Sequence, residues 1–158
     1  SSVASSPPIS TAATPPSTPA IANPTECPTA SLSGSIQTYG AGGREFYLIV
    51  LINTGSKACT VTGFPGVSFL DAHRQQIGQP ATRSGPTGSA VTLETNQPAS
   101  AELITTPPLC NGGVVSVATY INVIPPNQTT ALVVPGAVAL CDPTILAFQP
   151  GTTFPNAR

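Results

Sequence analysis

Short apolar runs separated by turn-forming residues make up most of the chain after residue 26. Residues 44–53 are rich in Phe, Tyr, Ile, Val and Leu and predict the strongest strand. Apolar and polar residues alternate over 114–124, which predicts a strand carrying Val117 and Ile121 on one face. No window shows a helical apolar period with caps. Further strands are predicted at 59–62, 67–72, 76–81, 89–93, 99–105, 130–134 and 144–148.

Eight or nine short strands with turns at this spacing predict an all-β fold, an antiparallel immunoglobulin-like β-sandwich over residues 27–158. A small closed barrel is the alternative. Residues 1–26 differ, because 21 of them are Ser, Pro, Thr or Ala. Such a segment buries too little apolar surface to offset its ordering entropy, so we expect a disordered tether.

The predicted strand 44–53 is apolar on both faces, which is unusual for a sheet with one solvated side. Phe46, Leu48, Val50 and Ile52 lie on one face, and Tyr47, Ile49 and Leu51 on the other. We expect the chain itself to cover both faces. The alternative is that Tyr47, Ile49 and Leu51 form an apolar interface for a partner.

Charge is sparse and nearly balanced, with five Lys/Arg against six Asp/Glu, or 7% of the residues. Nucleic-acid binding by phosphate neutralisation and polybasic membrane binding both need clustered cations, so neither is expected. The longest apolar run, 46–52, is far shorter than the roughly 20 residues of a membrane span, so no transmembrane segment is expected. No signal peptide is visible, so either the chain is cytosolic or its targeting segment has been removed.

The four cysteines, Cys27, Cys59, Cys110 and Cys141, contain no C-x-x-C pair. A zinc site would need all four, or three with His73, and the spacing fits neither a finger nor a ribbon. No metal and no cofactor are therefore expected, and two disulfides in an exported protein are the simpler interpretation. Four cysteines allow three connectivities, and pairing of neighbours predicts Cys27–Cys59 and Cys110–Cys141.

One segment carries a family resemblance. Residues 53–67, NTGSKACTVTGFPGV, resemble the N-T-G-x-x-x-C-x-L-x-G-[YF]-P-x-V signature of a family of exported actinobacterial proteins, domain of unknown function 4232. Leu70-Asp71, the blocks 91–93 and 99–103, and the ending 146–151 are similar to its later segments. The family's usual Pro-Gly turn is Thr95-Asn96 here, and Asn tolerates the left-handed conformation.

The resemblance implies an extracytoplasmic protein, secreted or lipid-anchored at the cell surface. In the lipoproteins of the family the anchor is a Cys just upstream of the Ser/Thr/Pro tail, which here would precede Ser1. The family supplies no catalytic residues to transfer to this chain.

Candidate catalytic groups have simpler structural explanations. Asp71 and His73 fall at a strand end, where both are common turn formers, and Ser68 is not in a nucleophile elbow. Glu94 and Glu102 flank a predicted hairpin turn, where we expect them to be solvated rather than paired in a glycosidase cleft. Gly40-Ala41-Gly42-Gly43 precedes a strand, so it is interpreted as a hairpin loop and not as a phosphate loop.

We therefore expect no catalytic residues and no enzyme. The leading hypothesis is a monomeric extracytoplasmic binding or scaffold module of the cell envelope, with an extracellular protein, glycan or lipid as partner. The alternative is a carrier that holds an acyl chain between its sheets.

Overall fold

The computed structural model describes residues 25–41, 44–106 and 116–152. Nearly all of its regular structure is β, which confirms the predicted fold class. One short 3-10 helix, Thr29–Ser31, precedes the strands. The strands are β1 Leu32–Ala41, β2 Arg44–Asn53, β3 Cys59–Val61, β4 Gly66–Leu70, β5 Gln76–Ile77, β6 Thr82–Arg83, β7 Val91–Leu93, β8 Pro98–Thr105, β9 Ser116–Ile124, β10 Leu132–Leu140, β11 Thr144–Ile145 and β12 Gln149–Pro150.

The strands form two main sheets in a sandwich-like arrangement. The first sheet has the order β1-β2-β8-β11-β6, and β12 also pairs with β8. The second has the order β10-β9-β4-β5, and β3 pairs with β7 as a separate ribbon. The pairing is antiparallel except between β11 and β6, which run parallel. The fold is thus an antiparallel sandwich with one parallel pair at an edge, and the immunoglobulin-like topology stays a prediction.

Strand β1 was missed by the sequence analysis, although it pairs with β2 along ten residues. Its sequence, LSGSIQTYGA, is mostly small or polar, which hides the strand signal. Only Leu32, Gly34 and Ile36 of its inward face lie against apolar neighbours, while Ser33 and Ser35 face solvent. Gly40 and Ala41, which were predicted to lie in a hairpin loop, instead pair with β2 at the end of β1, and residues 42–43 lie outside the described part.

Both faces of β2 are buried. Tyr47, Ile49 and Leu51 are at most 1% exposed and belong to the core cluster between the two sheets. The hypothesis that these three residues form an apolar interface for a partner is therefore wrong. The physical reason is that this face of β2 is the inner face of the sandwich. The opposite face, with Phe46, Leu48 and Val50, lies outside that cluster and is shielded from solvent as well.

The inward face of β9 changes along the strand. Val134 pairs with Ile121, and Val138 pairs with Ala118. The step from the first pair to the second is four residues along β10 but three residues along β9. This bulge shifts the inward positions of β9 from odd to even numbers. Ala118 is consequently buried, and Val117 is 57% exposed. The prediction that Val117 and Ile121 share a face is wrong for this reason.

The two sheets approach each other closely where β1 faces β10. A Cβ atom added at Gly136 would lie 2.4 Å from Cγ2 of Ile36, and one added at Gly34 would lie 2.9 Å from Cγ2 of Val134. Real carbon contacts are about 3.5–4.0 Å. Glycine at both positions therefore lets the sheets pack without intervening space.

The N-terminal boundary is set by pairing with β3. Glu26 bridges Thr60, and the Thr60 N–H donates to the carbonyl of Thr25 at 2.9 Å. The last two residues of the predicted tether thus pair with β3, and residues 1–24 lie outside the described part. Among the described residues, no helix is long and apolar enough to cross a membrane.

Candidate functional site

The predicted cysteine pair Cys27–Cys59 is a disulfide in the structure, with Cα atoms 4.8 Å apart. It fastens the start of the described chain to β3, and both residues are buried. Cys141 is also disulfide-bonded. Cys110, its predicted partner, lies outside the described residues. The described residues hold no group of three or more His, Cys, Asp or Glu side chains that could bind a metal ion.

Asp71 forms the turn between β4 and β5. One of its carboxylate oxygens accepts from the backbone N–H groups of His73 at 2.8 Å and Gln75 at 2.9 Å. These hydrogen bonds, that of Gln75 first, lower the pKa of Asp71 from its ordinary value. Arg74 takes the left-handed position of this turn at φ 62°. The turn interpretation of Asp71 thus agrees with the structure, and His73 is exposed.

Glu94 and Glu102 do not face each other across a hairpin. The turn between them forms, with Asn96 left-handed at φ 69°, but β7 pairs with β3 and β8 pairs with β2. Glu94 is exposed, whereas Glu102 is fully buried on β8. The prediction of a solvated pair flanking a hairpin is therefore wrong, because the turn connects strands that belong to different sheets.

The hydroxyl of Tyr47 has a pKa that is raised well above its ordinary value. The hydroxyl donates to the Glu45 carboxylate and accepts from the Ala139 N–H at 3.2 Å. Burial, and then the hydrogen bond to Glu45, raise the pKa of Tyr47 to about 12. This group ties β2 to β10 inside the core and is closed to solvent, so its role is structural.

A surface cleft lies where three turns or strand ends meet, and we call it the Phe64–Arg83 cleft. The turn 63–66 after β3 forms one wall, Arg83 of β6 forms the second, and the turn 125–128 after β9 forms the third. Its volume is about 450 Å³, within the usual range for ligand pockets. The lining residues are Thr62, Gly63, Phe64, Gly66, Arg83, Thr87, Ile124, Pro125, Pro126, Asn127 and Gln128.

Backbone requirements in two turns shape this cleft. Gly63 is buried with φ 93°, a conformation that other residues rarely adopt, and its carbonyl accepts from Phe148 N–H at 2.9 Å. Asn127 has φ 61°, and its side-chain amide donates to the Glu26 carboxylate. Phe64, which follows this glycine, lines the cleft and packs against the core cluster, and Asn127 fastens the opposite turn to the N-terminal segment.

Arg83 is the charged group of the cleft. Its guanidinium lies over the Phe64 ring, 5.8 Å from the centroid. This distance is near the limit of a cation–π contact, and such a contact at an exposed site contributes about 0.5–1 kcal/mol and leaves the N–H donors free to bind a ligand. The turn 63–66 is part of the motif at residues 53–67, whereas no local pattern marks Arg83. Arg83 is paired with Ile145 of β11 and lies beside Phe64 in the folded chain.

Two further clefts lie at loops. One, of about 520 Å³, is lined by residues of the segments 78–82 and 140–144 and includes Asp142. The other, of about 240 Å³, lies between 84–88 and 146–149. The 520 Å³ cleft is lined by residues of both sheets, because Leu140 lies on β10 and Thr82 and Thr144 lie on β6 and β11.

The fold and the cleft together define a β-sandwich domain with a disulfide at its N-terminal edge and a ligand-sized cleft at its turns. The model of the family described as Domain of unknown function (DUF4232) matches residues 27–149. The chain belongs to this family, and the motif that lines the cleft is part of the matched region. No curated protein and no solved structure matches the chain.

Proposed function

We propose that the chain is a non-enzymatic extracytoplasmic module of the cell envelope that binds its partner through the Phe64–Arg83 cleft. The observation that carries this proposal is the cleft itself, which is built by the Gly-Phe-Pro-Gly turn at 63–66 and contains a positioned guanidinium. Ligand sites are typically concave, with apolar walls and a few fixed polar groups. This cleft combines apolar residues, among them Phe64 and Ile124, with polar ones that include Arg83 and Thr87.

The compartment rests on the cysteines and on the family resemblance. The Cys27–Cys59 disulfide is compatible with an oxidising compartment, where such bonds persist. The resemblance to exported actinobacterial proteins suggests secretion or a lipid anchor, with residues 1–24 as a spacer. Alkylation of the thiols at the moment of cell lysis tests this, because an extracytoplasmic chain should yield no labelled Cys27 or Cys59.

The proposal of a non-enzymatic role rests on the positions of the acid and base groups. The Asp71 carboxylate is occupied by two backbone N–H groups of its own turn. Glu102 is fully buried, and Glu94 is exposed on a different sheet. These groups do not converge on the cleft, which leaves binding as the activity that the site supports best.

The packing weighs against the carrier alternative. An acyl chain would need space between the sheets, yet glycines at 34 and 136 bring β1 and β10 into contact. The core cluster is continuous from the first sheet to the second. We therefore favour binding at the turns over binding between the sheets.

Photocrosslinking in intact cells tests the proposal. Benzoylphenylalanine at Thr87, an exposed residue at the cleft, should capture a discrete partner. The same group at Thr92 is the matched control, because Thr92 is an exposed threonine that does not line the cleft. Identical crosslinking patterns at Thr87 and Thr92 would show that the cleft is not the binding site.

A further inference from the structure

Arg83 differs from the other described cations in its surroundings. Lys57 is exposed on a turn, and Arg74 lies over Tyr120 on the outer face of the second sheet, 4.8 Å from the ring centroid. Arg83 lies in a cleft, and its described contact is the Phe64 ring rather than a carboxylate. A guanidinium presents a rigid fork of donors that matches a carboxylate in two-point hydrogen bonding.

The remaining described lining favours a ligand that carries hydroxyl groups. Thr62, Thr87 and Gln128 offer hydroxyl and carboxamide groups that can both donate and accept hydrogen bonds. No acidic side chain is among the described lining residues, and the nearby Glu26 carboxylate is hydrogen-bonded to the side-chain amide of the lining residue Asn127. A hydrocarbon ligand would leave these polar groups unpaired, which costs binding free energy.

The apolar side chains of the lining belong to Phe64, Ile124, Pro125 and Pro126. Phe64 and the two rings of Pro125 and Pro126 line the cleft, and both prolines are buried. Saccharides present hydroxyl groups at their edges and C–H groups on their ring faces, so they match walls of this kind. A polynucleotide does not match, because one cation cannot neutralise a series of phosphates.

We propose that the Phe64–Arg83 cleft binds a saccharide that bears a carboxylate, with Arg83 pairing with the carboxylate and the half-buried Phe64 ring contacting the sugar ring. This inference rests on the proposed function and names the ligand class of that same cleft. The cleft volume of about 450 Å³ suits a short saccharide. The cleft should prefer the sugar that bears a carboxylate over the neutral sugar, because only the carboxylate can form a charge-assisted hydrogen bond with Arg83.

The test is an NMR titration of the full chain with glucuronate and with glucose, which differ only in the carboxylate at carbon 6. Glucuronate should shift amide resonances of 62–66 and 125–128 in a saturable way, and glucose should bind at least about tenfold more weakly, which corresponds to loss of one charge-assisted hydrogen bond. Added salt should weaken glucuronate binding and leave glucose unchanged.

Variants of two arginines separate a site from a general charge effect. Arg83→Gln should weaken glucuronate binding about tenfold or more, and Arg83→Lys should restore part of it, because charge is kept and the planar fork is lost. Arg74→Gln is the matched control, since Arg74 also lies over an aromatic ring but outside the cleft. Both residues are exposed, so the variants should keep the dispersed spectrum of the folded chain.

The inference is overturned if glucose and glucuronate bind equally, or if Arg74→Gln weakens binding as much as Arg83→Gln. It is also overturned if a short peptide with a free terminal carboxylate shifts the same resonances while glucuronate does not. Absence of any shift in the cleft, combined with a specific crosslink at Thr87, would refute the saccharide assignment and leave the proposed binding module standing. If no amide of the cleft shifts and Thr87 also gives no specific crosslink, both the saccharide assignment and the proposed binding module are refuted.

Discussion

Substitution of Gly136 by alanine tests the close contact between the two sheets. The added Cβ would lie 2.4 Å from Cγ2 of Ile36, so the sheets must separate by about 1 Å or more to reach a normal carbon contact. Overpacking of this kind costs about 1–3 kcal/mol. Alanine in place of glycine recovers about 0.5–1 kcal/mol from the unfolded chain. We therefore expect Gly136→Ala to lower the free energy of unfolding by about 1 kcal/mol, and by no more than about 2.5 kcal/mol.

Second-site changes at Ile36 identify the methyl group responsible. Ile36→Leu removes the branch methyl Cγ2, whereas Ile36→Val keeps it. In a chain that carries Ile36→Leu, Gly136→Ala should lower the free energy of unfolding by less than about 0.5 kcal/mol. In a chain that carries Ile36→Val, Gly136→Ala should lower it as much as in the original chain. Urea denaturation of the single and double variants measures these differences.

Gly66→Ala is the control within the same fold. A Cβ at Gly66 would make an ordinary contact, 3.6 Å from Cβ of Ile124, so stability should stay the same or rise slightly. If Gly136→Ala were as stable as Gly66→Ala, the sheets would have spare room at this point. The packing argument against an apolar ligand between β1 and β10 would then fail.

Three further outcomes are expected. Replacing Cys27 and Cys59 together by alanine should lower the free energy of unfolding by about 3–4 kcal/mol, because a loop with a sequence separation of 32 residues is no longer closed in the unfolded chain; an unchanged urea midpoint would contradict this. The pKa of the Tyr47 hydroxyl is about 12 in the folded chain and near 10 in the unfolded chain. The neutral hydroxyl therefore contributes fully to the free energy of unfolding below about pH 10, and this contribution is lost as the pH rises toward 12. Absorbance at 295 nm should show a tyrosine step near pH 12 that Tyr47→Phe removes, and the absence of that step would be inconsistent with burial of the hydroxyl. Arg74→Gly should be more stable than Arg74→Ala by about 1 kcal/mol, because glycine adopts the left-handed backbone of this position without strain. Both variants lose the contact with Tyr120, so the difference between them reports the backbone alone. Equal stability of the two variants would show that φ 62° carries no strain.

The motif at residues 53–67 predicted the turn 63–66 that forms one wall of the cleft, but it predicted no cleft. The turn was predictable because a Gly-Phe-Pro-Gly turn has a fixed backbone geometry that local sequence specifies. The other two walls were not predictable in the same way. Arg83 and the turn 125–128 are distant from 63–66 in the sequence, and only the sheet order brings them together.

Local patterning determined the all-β class, the bounds of β2, the turn at Asp71 and the left-handed Asn96, because each depends on residues close in sequence. The inner face of β2 was not determined, since both of its faces are apolar and local periodicity cannot rank them. The bulge opposite β9 and the separation of β7 from β8 into different sheets were also decided by tertiary structure. These features depend on the partner of each strand, and pairing between distant segments is set by how the whole core packs rather than by local sequence.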